Sequence, residues 1–146
     1  MVRSTRRVAD PGSEFAGFRF PPEVITLAVR WYLRFGLSYR DVEELLAERG
    51  IEVDHTTLFR WVVRFTPLFV EAARPCRLTP GDRWFVDETY VKVDGRWSVA
   101  VPLSLRIVAT GHAFVQNLPR GHYELATEAA VLDRVPVAFT ELALAI

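Results

Sequence analysis

The chain has 146 residues, 50% of them hydrophobic and 12% aromatic, enough material for one ordinary globular domain or two small ones. Eighteen basic and eighteen acidic side chains cancel, which excludes a global field pulling the protein to nucleic acid or to an anionic membrane and leaves any DNA contact to a local patch. A single cysteine, Cys76, excludes a disulfide framework, and no apolar run reaches the roughly 18 to 20 residues of a spanning helix.

The first segment, MVRSTRRVADPGSEFAG, is basic but has no apolar stretch behind Arg6 and Arg7, so it does not read as a secretory signal. The expectation is a flexible arm over residues 1–20 of a cytoplasmic protein. Pro21 and Pro22 suit the first turn of a helix, Glu23 complements its positive end, and Gly36 stops it. Ile25, Ala28, Tyr32 and Phe35 line one face of that helix and Val24, Leu27 and Trp31 another, which places it centrally. Ser38 and Asp41 resemble a capping box that opens a second helix, with Val42, Leu45 and Leu46 inward, Glu43, Glu44 and Glu48 outward, and Gly50 at its end.

After the connector IEV, Asp54 is placed to cap HTTLFRWVVRF, where Leu58, Trp61, Val62 and Phe65 form an inward stripe and Pro67 is expected to end the run. Three helices with a glycine-containing turn between the last two make a helix-turn-helix candidate over residues 21–74. In such a unit the last helix enters the major groove, and its outward residues near the start are polar, small or basic. His55, Thr56, Thr57, Arg60 and Arg64 meet that demand, and the two arginines, four apart, share a face. The spacing alone fits solubilising charge equally well.

Pro75, Pro80 and Gly81 mark a connector, beyond which the period changes to two. In WFVDETYVKVDGRWSVAV, alternation and the turn dipeptide Asp94-Gly95 predict a β-hairpin over residues 82–103. Asp87 and Glu88 sit in the middle of its first strand. Asp87 shares a face with Phe85, Val91 and Val93, so under a cover the ionised group needs a cation or strong hydrogen bonds; an edge position or a structural acceptor role are the alternatives. Further on, Ile107, Gly111, Phe114 and Leu118 fall in helical register before Pro119, and VAFTELALAI closes a helical tail over residues 104–146. His112 and His122, ten residues apart, read as surface or packing histidines.

The run FRFPPEVITLAVRWYLRFGLSYRDVEELLAERGIEVDHTTLFRWVVRF, together with WFVDETYVKVDGRW, resembles the insertion sequence six family of bacterial transposases over about residues 18–97. The resemblance implies an N-terminal DNA-binding helix-turn-helix followed by an RNase H-like core. It also implies that Asp87 is the first acid of an Asp-Asp-Glu triad holding magnesium. In-line displacement at a phosphodiester needs several carboxylate ligands for its divalent ions, and one is not enough. The family's second and third acids lie in motifs resembling TDxxxxY and IExDH, and neither occurs here. From about Ser98 to Arg106 onward the text resembles instead the family's C-terminal tail, as after an internal deletion.

The expected fold is therefore α+β: a three-helix unit, a truncated RNase H-like fragment reduced to the hairpin, and the helical tail. Glu124, Glu128, Asp133 and Glu141 remain, but their surroundings match the tail and not the catalytic helix. The expected function is that of a transposase-family protein able at most to bind double-stranded DNA, at the terminal inverted repeats of its element, with Asp87 orphaned and magnesium not bound productively. Activity by complementation in an oligomer with a full-length transposase is the alternative, and a non-functional relic is the third.

Overall fold

Local signals set the ends of the first three helices in the computed structural model, which describes residues 12–78, 91–93, 96–98 and 103–146. Helix α1 (Pro22–Phe35) starts on its proline and ends where Gly36 turns left-handed at φ 60°, a conformation open to glycine at little cost. Helix α2 (Tyr39–Glu48) opens on a complete capping box: the Asp41 N–H donates to Ser38 Oγ at 3.1 Å and the Ser38 N–H donates to Asp41 Oδ2 at 2.9 Å. At its other end Gly50, at φ 77°, lets its own N–H reach the Ala47 carbonyl and that of Ile51 reach the Leu46 carbonyl, both at 2.9 Å. That pair of bonds is a Schellman ending, and it aims the chain into helix α3 (His55–Ala73).

The Ser38 backbone bond, and then its hydroxyl, hold the Asp41 carboxyl below the usual carboxylate range. A depressed folded value means that the box contributes above the unfolded value and fades as pH falls through the folded one. Ser38→Ala should cost about 1 kcal/mol at neutral pH in a urea titration, and the gap between the variant and the parent should narrow under acid conditions.

Pro67 was expected to end α3, and it does not. The helix runs on to Ala73 with the proline inside it. The ring removes one hydrogen bond, but Phe65, Thr66, Phe69 and Ala73 are all buried, so the second half of the helix is held by tertiary packing. It packs against helices α4 (Leu103–Asn117) and α5 (Arg134–Ala145), which also lie against α1. Phe69 meets Phe139 of α5 at 5.0 Å between ring centres, and Phe114 of α4 meets Tyr123 edge-on at 5.2 Å.

The segment over residues 118–130 closes over this core through Leu118, Tyr123, Leu125 and Ala126. Its backbone pairs with the chain just after α3: the Leu78 N–H donates to the His122 carbonyl at 3.0 Å and the Glu124 N–H to the Cys76 carbonyl at 2.7 Å.

These packings overturn the α+β fold class with its RNase H-like fragment. The described residues build a helical body with one continuous core running from Phe15 to Leu142. Their β-structure is an isolated antiparallel bridge between Arg77 and Tyr123 and the strand pair Val91–Val93 with Arg96–Ser98, three residues a strand and with no further described strand beside them. Alternation is a local signal, whereas an RNase H-like layer requires several strands with covered faces, and the core is closed by α4 and α5 instead. The expected strand over residues 84–90 and the Asp94-Gly95 turn lie outside the described residues.

Of the segment expected as an arm, residues 12–20 are described, and they lie on the core. Phe15 is buried and stacks on Phe65 at 4.8 Å, Phe18 tilts against the same ring, and Phe20 meets Trp61 edge-on. The Glu14 N–H donates to the Ile146 carbonyl at 2.7 Å. Among the described residues, no helix is long and apolar enough to cross a membrane.

Candidate nucleic-acid interface

The buried stripe of α3, Leu58, Trp61, Val62 and Phe65, fixes which of its side chains face water. Thr56, Phe59, Arg60 and Arg64 are exposed, and His55 and Thr57 are half-buried. The five residues expected to face outward therefore share the accessible side of one helix, but their environments differ.

Arg60 makes no ion pair or hydrogen bond among the described residues. Arg64 does: its Nη2 donates to Glu14 Oε2 at 3.2 Å, and its guanidinium lies over the Phe18 ring at 5.5 Å and the Phe65 ring at 5.8 Å. Both charged groups are half-exposed, so this pair is weak and open to competition by another anion.

His55 is committed to the turn. Its Nδ1 lies 3.2 Å from Glu43 Oε2 on α2 and 3.1 Å from Asp54 Oδ1. Asp54 holds the N-cap position expected of it but makes no side-chain cap bond, since its carboxylate goes to the histidine. The result is a polar tie between the end of the turn and the preceding helix.

Phe59 was missed in reading the sequence, although the helical phase set by Leu58 and Trp61 already turns it outward. It is 40% exposed, while Trp61, Phe65 and Phe69 on the same helix are at 3% or less. Its ring stands edge-on to Tyr39 at 5.6 Å, and Tyr39 stacks flat on Tyr32 at 4.3 Å. Burial, and then a hydrogen bond with Tyr32, raise the Tyr39 phenol above its ordinary range, so it stays neutral.

Asp87 lies outside the described residues. Among the described ones, the three side chains that could share a metal ion are Glu43, Asp54 and His55. An imidazole nitrogen already shared by two carboxylates is not the all-oxygen set that magnesium demands, so these residues do not fit that ion. Glu124, Glu128, Asp133 and Glu141 are exposed and form no such group with one another; Glu141 Oε2 accepts the Ala126 N–H at 3.4 Å. His112 has a structural part, its Nδ1 2.8 Å from the Leu33 carbonyl at the end of α1, and His122 is exposed.

Comparison with known proteins places the chain. The transposase for the insertion sequence-like element IS431mec of Staphylococcus aureus, in strains N315 and Mu50 among others, is 43% identical over 94 residues, 64% of this chain and 41% of that protein. The transposase for insertion sequence element IS257 in transposon Tn4003, also from Staphylococcus aureus, is 42% identical over the same shares. The chain thus spans about two fifths of the length of these relatives. No protein-family model matches it, and no solved structure does. Over these 94 residues the chain is similar to transposases of bacterial insertion sequences.

Proposed function

We propose that this protein binds double-stranded DNA through a helix-turn-helix formed by α2 and α3, and that it does not itself cleave or join strands. The observation that carries the reading is Arg60, exposed on α3 and without an ion pair among the described residues, with Thr56 one turn before it and Arg64 one turn after. The chain has no net charge, so binding rests on such a patch: guanidinium groups displace counterions from phosphate or bond the acceptors of guanine, while hydroxyls anchor the register. The His55 tie and the Schellman ending fix α3 relative to α2, which is what a reading helix requires.

The second half of the proposal follows from chemistry. Two-metal phosphoryl transfer needs several carboxylates brought to one place, and the acids of α5 and the preceding segment are dispersed over the surface.

A mobility-shift titration against a duplex bearing the element's terminal repeats, run at several salt concentrations, tests both halves. Arg60→Ala should weaken binding across sequences and lower the salt slope by about one unit. Arg64→Ala should do less, because Glu14 already compensates that charge. With magnesium and no other subunit the duplex should stay intact; nicked or joined product would overturn the second half, and absence of any shift would overturn the first.

A further inference from the structure

Resting on the DNA-binding reading, we propose that Phe59 is a specificity-determining residue that reads the 5-methyl group of a thymine in the major groove. A large aromatic ring left 40% exposed on a helix whose other aromatic rings are almost wholly buried is not explained by the core. Nor is it loose. The Tyr32, Tyr39 and Phe59 rings touch in sequence, flat and then edge-on, and so carry a rigid support from α1 through α2 to α3. A ring held this way loses little freedom on meeting a ligand.

Its neighbours define what that ligand is. Thr56 lies three residues before Phe59 and four before Arg60, so its hydroxyl neighbours both the apolar ring and the guanidinium on one helical surface. The thymine methyl is the apolar group that the major groove offers, and it stands beside hydrogen-bond acceptors on its own base and on neighbouring purines. An apolar tip flanked by donors complements that edge. A continuous apolar partner surface would be poorly matched to the charge at Arg60.

The test uses the whole chain and the tightest-binding duplex enriched from a random 20-base-pair pool. Each thymidine is replaced in turn by deoxyuridine, which removes only the methyl. At one position or more the wild type should lose about fourfold in affinity, the value for exposing one buried methyl group, and Phe59→Ala should bind the two duplexes equally. A second measurement needs no variant: 5-iodouracil at the sensitive position, irradiated in the wild-type complex, should crosslink to the peptide containing Phe59. The proposal is overturned if no replacement changes wild-type affinity, if Phe59→Ala discriminates as the wild type does, or if the crosslink maps elsewhere. Absence of any bound duplex instead removes the DNA-binding reading itself.

Discussion

Phe65→Ala should cost about 3–5 kcal/mol of folding stability, a large part of the 5–15 kcal/mol typical of a domain. The side chain is fully buried at the middle of α3. Its ring is stacked on Phe15 at 4.8 Å with 11° between planes and is met by Phe18 at 5.2 Å, so truncation opens a cavity and removes two aromatic contacts together. Phe15 and Phe18 flank the attachment of residues 12–20, and the same substitution should make that stretch the first to be cut by a protease. A urea midpoint lowered by less than the equivalent of about 1 kcal/mol would show that Phe65 is not the anchor described.

Gly111→Ala should also destabilise, by about 1–3 kcal/mol, although alanine is the better helix former by about 1 kcal/mol. The glycine lies where α4 presses on α1 and α3. A methyl group there would stand 2.6 Å from Thr66 Cγ2 and 2.8 Å from Leu33 Cδ2, inside any real carbon contact. Thr66 and Leu33 are both buried, and a β-branched threonine has little freedom to swing aside. Thr66→Ser removes the obstructing methyl, so the double variant should recover part of the loss, and the two changes should fail to add. Thermal melts of the four proteins in the cycle measure this directly. A stabilised Gly111→Ala variant would mean that α4 sits farther from α3 than the structure has it.

The parts of this fold that could be read from the chain are those decided within a turn or two. Pro22, Gly36, Ser38 with Asp41, and Gly50 act on backbone groups beside them, and the helices begin and end where these residues place them. Ile25, Leu46, Leu58, Trp61 and Phe65 were legible as core from their spacing, and all five are buried. Phe35 was expected to face the core and is 61% exposed, as the last residue of α1, beyond the buried Leu33.

What failed were judgements that depend on distant partners. Pro67 has a local tendency to end a helix, but its effect is outweighed by the burial of Phe69 and Ala73 against segments more than thirty residues away. The alternation in VKVDGRW says nothing about whether a sheet stands behind it, and α4 and α5 close the core in its place. For the candidate site, helical phase turned His55, Thr56, Thr57, Arg60 and Arg64 outward, but Phe59 on the same side was passed over. Phase could not show that Arg64 is held by Glu14, fifty residues earlier, or that His55 is shared between two acids.

Helix α3 is 19 residues long and so about 28 Å from end to end. Its opening turns carry the outward polar side chains, and its closing turns fill the centre of the hydrophobic body. One continuous rod therefore joins the solvent-facing patch to the interior. On the proposed DNA-binding reading, a duplex that grips the first part favours the folded form of the second, so occupancy of the outer end would be felt as added heat resistance throughout the bundle.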